Sequence, residues 1–230
     1  MKRLQSKTVR FIADVFDRLD YRKLGPIYCD EGGEEFWKDR RDPCQTLGKG
    51  LAEIVLNRLK PGGRSLYVGV GVAELPVLIT EVLELDRHVE AFNLREDEVA
   101  VLNHACKGLP FRIAARDARS ARGMYDHLWI VSVLNDPESY PQLSALTYGQ
   151  ANPVTFDPAS FANERAEVIA LADACLSKLT APSLVMTSVE EIPWIVEWCE
   201  RKKIKYVLGE EDYPTAIVED PVCAITIGPS

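Results

Sequence analysis

The 230 residues carry 27 Lys and Arg against 35 Asp and Glu, a formal net charge of −8, so the average surface repels phosphate backbones and nucleic acid is set aside as a partner. A chain of this length buries roughly 70–75% of the surface its unfolded form exposes, enough for one core without disulfide or metal staples. Six scattered cysteines with no Cys-x-x-Cys pair read as reduced, structural thiols of a cytoplasmic protein, and the polar start Met1-Lys2-Arg3 with no apolar run of about 18 residues argues against secretion or membrane spanning.

In chain order, residues 4–20 place Leu4, Val9, Ile12, Val15, Phe16 and Leu19 at helical spacing among charged residues, which predicts an amphipathic helix. The stretch 21–43 holds Gly25-Pro26, Gly32-Gly33, Tyr21, Tyr28, Phe36 and Trp37. It predicts a turn-rich aromatic segment, either packed on the core or closing over a site as a lid. A second helical pattern spans 44–59 and ends at Pro61-Gly62-Gly63. Residues 1–60 are therefore read as an N-terminal helical extension and 61–230 as the core domain.

Within that core, strands are expected at 65–70, 89–94, 111–115, 126–133, 183–188, 204–208 and 224–227, with helices at 75–85, 96–106, 163–179 and 192–202. Strands alternating with helices of this length imply right-handed crossovers and an α/β, doubly wound, mainly parallel seven-stranded sheet. The segment 209–222 has no helical pattern, so the last strand is expected to run antiparallel. Residues 135–158 carry Pro137, Pro141, Pro153 and Pro158 and read as one long irregular connection of the kind that holds substrate-specific residues.

The motif with chemical content is Val68-Gly69-Val70-Gly71-Val72-Ala73-Glu74, which follows the first core strand and opens a helix. Gly69 permits the tight turn, and Gly71 lets a ligand approach main-chain amides converging at a helix N-terminus. A dinucleotide turn wants a third glycine where Glu74 stands and an acid at the end of the second strand, where the chain has Asn93. Nicotinamide binding is thereby disfavoured, and is kept as the more distant alternative.

From about residue 47 to 228 the chain resembles the class I S-adenosylmethionine-dependent methyltransferases, as a divergent member. Leu66 to Glu74 is similar to that family's first motif, Phe92-Asn93-Leu94 to the ribose-holding end of its second strand, and Ala115-Arg116-Asp117-Ala118 to its adenine segment. The run from Tyr125 to Leu134, with Ser132 near its end, resembles the fourth-strand motif, and 222–228 the final antiparallel strand. The resemblance implies contacts to S-adenosylmethionine, and to S-adenosylhomocysteine as product, from Val68, Gly69, Val70, Gly71, Glu74, Asn93, Leu94, Asp117, Ala118 and Ser132. It implies methyl transfer to a small-molecule acceptor.

Departures from the family are Tyr67 and Asn93, where acids are common, and Ala73, where glycine is. A neutral amide at 93 is a weaker ribose partner than a carboxylate, by about 1–2 kcal/mol, so Asn93→Asp is expected to strengthen binding. These departures motivate a second reading, a catalytically reduced protein with a binding or partner role.

Methyl transfer from a sulfonium depends chiefly on positioning. Where a base is needed, Asn135, Asp136 and Tyr140, just after the fourth strand, are the candidates. Asn135-Asp136-Pro137 does not have the spacing of an amino-group methyltransferase motif. His88, His104 and His127 lack metal-ligand spacing, so no metal site is expected. Trp194 and Trp198 are read as a packing stripe, and association into a homo-oligomer is left open.

Overall fold

The computed structural model describes residues 2–29, 33–215 and 220–228; Gly32, part of the aromatic segment, lies outside them. The chain opens with helices α1 (Ser6–Arg18), α2 (Tyr21–Tyr28), α3 (Glu35–Lys38) and α4 (Arg41–Arg58). The core follows as β1 (Arg64–Val68), α5 (Leu75–Glu84), β2 (His88–Asn93), α6 (Glu96–Ala105), β3 (Ile113–Ala115) and β4 (Tyr125–Ile130). It is completed by α7 (Pro141–Thr147), α8 (Pro158–Leu176), β5 (Leu179–Ser188), α9 (Ile192–Lys202), β6 (Tyr206–Tyr213) and β7 (Val222–Ile227).

The seven strands form one sheet in the order β3-β2-β1-β4-β5-β7-β6. Strands β1 to β5 pair in parallel, and β7 inserts antiparallel between β5 and β6. The expected doubly wound α/β sheet with its antiparallel last strand is what the chain forms. Strand order reverses at β1, where β2 lies on one side and β4 on the other, and such a switch point leaves a crevice beyond the carboxyl ends of the strands.

Apolar alternation explains why both faces are covered. Tyr67, Trp129, Leu184, Met186 and Ala224 join one buried cluster with Ile12, Phe16, Leu24, Trp37, Leu51 and Leu78 from the helices. Their neighbours Leu66, Val68, Leu128, Ile130, Val185 and Ile225 join a second cluster with Val168, Cys175, Ile195 and Trp198. Strands apolar on both faces have to be sandwiched between helical layers. The N-terminal helices share the first of these clusters with the sheet, and Trp198 belongs to the second.

Two stretches differ from the sequence expectation. The segment after α1 is helical: Asp20 caps α2 by accepting from Lys23 N at 3.3 Å, and Pro26, which removes one main-chain donor, falls only in its last turn. Gly25 serves close approach: a Cβ there would lie 1.8 Å from the Gly33 carbonyl oxygen. In 135–158, Pro141 opens α7, since proline suits the first turn of a helix, and Leu143 buries itself beneath it. The start of α8 moves forward to Pro158 for the same reason, with Asp157 accepting from Ala159 N at 3.0 Å.

One buried polar group is structural. Tyr67, where the family has an acid, donates to Glu81, which also meets Ser65, Arg87 at 3.0 Å and His127 Nδ1 at 2.7 Å, the last out of line for a straight hydrogen bond. Burial alone would raise the Glu81 pKa, but His127, Ser65 and Tyr67 outweigh it and hold the carboxyl below its usual value. The departure at Tyr67 thus belongs to this network, where its ring also stacks on Trp129 with centroids 5.8 Å apart.

Candidate functional site

A cavity of about 1070 Å³ opens at the carboxyl edge of the sheet, bounded by the glycine turn, the ends of β2 and β4, the segment after β3, and Tyr28 and Phe36 from the N-terminal helices. The positions expected to bind a ligand converge there, with one exception. Val68, Gly69, Gly71 and Glu74 line it from the turn, Asn93 and Leu94 from β2, Asp117 and Ala118 from after β3, and Ser132 from after β4. Val70 does not: its side chain is buried in the apolar core and its N–H donates to Phe92 O at 3.0 Å. Asn135, Asp136 and Tyr140 line the other end.

The turn has the backbone the motif requires. Gly69 has φ +72°, a left-handed conformation, and a Cβ there would meet Val133 Cγ2 at 2.5 Å. The amides beyond it, however, are not open. Gly71 N donates to Glu74 Oε2 at 2.8 Å, and Val72 N donates to the Tyr28 hydroxyl at 3.2 Å. Tyr28 in turn donates to Glu98, whose other oxygen accepts from Asn93 Nδ2 at 2.9 Å. A Cβ on Gly71 would lie 2.6 Å from the Tyr28 hydroxyl, so the bare glycine here admits the protein's own side chains. The expectation that this corner stands open is corrected: Glu74, from within the motif, closes one amide, and Tyr28, 44 residues earlier in the chain, closes the other.

Asn93 is similarly committed. Its Nδ2 also donates to Val70 O at 2.8 Å, and its Oδ1 accepts from Arg95 N at 2.8 Å. An amide is needed because one of its partners is a carbonyl and another a carboxylate, both acceptors. Asp117 turns to Arg119, accepting from its backbone N and its Nε at 2.7 Å each. Burial pushes the Asp117 carboxyl upward, but Arg119 outweighs this and holds it below the usual range.

Burial dominates the electrostatics of the corner. It raises Glu74 to about 7, with Glu98 adding to the rise while the Gly71 amide opposes it. Burial also raises Glu98, against the hydrogen bonds from Tyr28 and Asn93, and lifts the Tyr28 phenol well above its ordinary value. Trp129 Nε1 lies close enough to Glu74 to favour its ionised form, yet it has no in-line acceptor and remains a buried donor on the crevice floor.

At the far end, the Glu191 carboxylate gathers the N–H groups of Ser132 (3.0 Å), Val133 (2.6 Å) and Leu134, together with that of Ser188 (3.1 Å). It thereby holds Ser132 at φ 55°. Asn135 is 1% exposed; its Oδ1 accepts from Trp194 Nε1 at 3.0 Å, which leaves Nδ2 without a partner. Asp136 is engaged by Ser139 N at 3.1 Å and Ser139 Oγ at 2.6 Å, and burial raises the Tyr140 phenol. Asp220, 3% exposed, accepts from Tyr148 and from Glu190 N, both at 3.2 Å. Among the described residues no group of His, Cys, Asp and Glu is placed to hold a metal ion, and no helix is long and apolar enough to cross a membrane.

No protein-family model and no curated protein matches the sequence. Solved structures do match the fold. The magnesium protoporphyrin IX methyltransferase of Synechocystis PCC 6803, solved with bound SAM, aligns over 98% of this chain and 99% of its own, with TM-score 0.54 and 14% identity. A methyltransferase from Pyrococcus furiosus aligns over 80% of this chain and 83% of its own, with TM-score 0.50 and 10% identity. The chain has the class I methyltransferase fold. At these identities the likeness is one of architecture, and the chemistry has to be argued from the crevice.

In a methyltransferase fold the nucleoside half of a cofactor would lie along the ends of β2 and β3, where Leu94, Asp117 and Ala118 border open space while Asn93 and Asp117 are engaged by the protein's own groups. The amino-acid half does not fit the corner as it stands, because Glu74 and Tyr28 hold the amides of Gly71 and Val72. Sequence reasoning missed Glu98, whose place in an acidic first helical turn reads as solvated, and Glu191, although Ser188-Val189-Glu190-Glu191 has the spacing of a helix capping box. The aromatic content around Tyr28 did carry a signal, that of a segment able to cover a site.

Proposed function

We propose that the protein is an S-adenosylmethionine-dependent methyltransferase-like protein acting on a small molecule, its crevice taking the adenosine part of that cofactor. The observation that carries the reading is the convergence of the glycine turn, the end of β2 and the segment after β3 on one cavity at the sheet's switch point. Leu94, Asp117 and Ala118 would border the adenosine. S-adenosylmethionine, when bound, supplies a methyl group already activated on a sulfonium.

The residues beyond β4 shape the other end of the cavity. Glu191 fixes the loop Ser132–Leu134, and Asn135 offers a buried amide donor for orienting an acceptor. Asp136 is held by Ser139 and the Tyr140 phenol stays protonated, so positioning is the stronger contribution of this loop. The free thiols of all six cysteines suit a cytoplasmic setting.

A second reading, a catalytically reduced binding protein, is favoured by one observation: the amides of the glycine turn are already satisfied internally. Thermal melts with S-adenosylmethionine, S-adenosylhomocysteine and NAD separate the readings. Ligand at one hundred times its dissociation constant adds about 2.7 kcal/mol, a rise of roughly 5–10 °C. A rise with either adenosyl compound and none with NAD supports the proposal. A rise with NAD alone overturns it, and no rise with any of the three supports the reduced reading.

A further inference from the structure

Resting on the adenosyl reading above, the geometry points to a selectivity that the fold alone does not imply: the crevice prefers adenine nucleosides whose 5′ substituent has no carboxylate. Glycine turns at helix N-termini ordinarily attract anions, because converging N–H groups and the helix dipole favour negative charge. Here α5 begins one residue after Glu74, and that carboxylate takes Gly71 N at 2.8 Å while the Tyr28 hydroxyl takes Val72 N at 3.2 Å. The protein supplies its own carboxyl group to its own anion site.

An incoming carboxylate therefore has to displace both side chains and also to approach Glu98, which is buried against the same glycine and fastened by Tyr28 and Asn93. As Glu74 ionises above about pH 7, like charges brought together in this dry corner repel. An ammonium group has the opposite experience, since Glu74 and Glu98 give it two acceptors, and Arg95 is the nearest cation, 4.0 Å from Glu98 and drawn off to Glu138 at 2.8 Å. Trp129 Nε1, 1% exposed and without an in-line acceptor on the crevice floor, adds a donor for a lone-pair atom such as a thioether sulfur. The ligand class that matches all of these is an adenosine 5′-thioether ending in an amine or in nothing charged.

Three probes isolate the carboxylate: S-adenosylhomocysteine, its decarboxylated counterpart 5′-deoxy-5′-(3-aminopropylthio)adenosine, and 5′-methylthioadenosine, each titrated calorimetrically into the full chain. The aminopropyl thioether is expected to bind at least tenfold more tightly than S-adenosylhomocysteine, with 5′-methylthioadenosine between them. Tyr28→Phe frees Val72 N and Glu74→Ala frees Gly71 N, and each is expected to narrow that gap at least threefold. The conservative Tyr28→Phe keeps the test valid should Glu74→Ala fail to fold. Equal or tighter binding of S-adenosylhomocysteine by the wild type overturns the selectivity while leaving the adenosyl reading intact, as does a gap that Tyr28→Phe leaves unchanged. Silence from all three probes overturns the adenosyl reading and this inference with it.

Discussion

Replacing Glu74 by glutamine is expected to make the protein more stable above neutral pH and to change little in mild acid. Glu74 is buried beside Glu98 and its pKa is raised from 4.5 to about 7, with burial the largest cause. A folded-state value above the unfolded one means that the folded chain holds the extra proton between the two. The associated stability is present in full below about 4.5 and is lost as pH rises through about 7. A rise of that size corresponds to about 3 kcal/mol, a large share of the 5–15 kcal/mol by which domains are typically stable. Glutamine keeps the shape and an acceptor for Gly71 N but never ionises, so it escapes this loss. Urea unfolding of both proteins, followed by tryptophan fluorescence near pH 4 and near pH 8, should give equal stabilities in acid and an advantage to the variant of up to about 3 kcal/mol in base. A difference that does not vary with pH would refute the reasoning.

Three further substitutions probe the buried polar clusters. Arg87→Met leaves Glu81 and Asp126 without their guanidinium partner and should cost about 3–5 kcal/mol in urea unfolding; a loss under about 1 kcal/mol would mean that the network is not structural. Glu191→Ala removes the acceptor of the Ser132, Val133 and Leu134 amides and should destabilise by roughly 2–4 kcal/mol, with faster hydrogen exchange at those amides; unchanged exchange would contradict the clamp. Asn93→Asp, which sequence reasoning expects to strengthen ligand binding, sets a carboxylate against Glu98 and the Val70 carbonyl. It should instead destabilise by about 1–3 kcal/mol near neutral pH without tightening adenosyl binding, and tighter binding at undiminished stability would restore the original expectation.

How much was legible follows from the range of each interaction. Strands apolar at successive positions, such as 65–70 and 126–133, state in local sequence that both faces are buried, and the order of strands and helices then leaves few topologies. The same holds for Gly69, whose left-handed backbone follows from its place in a strand-to-helix turn. Helices α2 and α7 were obscured because Pro26 and Pro141 read as breakers, although one lies in a last turn and the other at a first. The state of the crevice was legible only in part, through the aromatics around Tyr28 and through Glu74, which closes Gly71 N from three residues away. It depends on Tyr28 meeting Glu98, seventy residues apart in sequence, and on Glu191 reaching back 57 to 59 residues to the loop after β4. A motif specifies where amides converge; that Tyr28 occupies the Val72 amide is determined by the tertiary fold.

The central claim, that an adenosyl ligand enters the crevice at the carboxyl edge of β1 and its neighbours, is tested most directly by backbone amide NMR of the labelled chain during titration with 5′-methylthioadenosine and S-adenosylhomocysteine. The account predicts saturable shifts at Gly69, Gly71, Leu94, Asp117 and Ala118, with Arg201 and Lys202 at the end of α9 unmoved. Saturable shifts confined to other surfaces, or none with either compound, would contradict it.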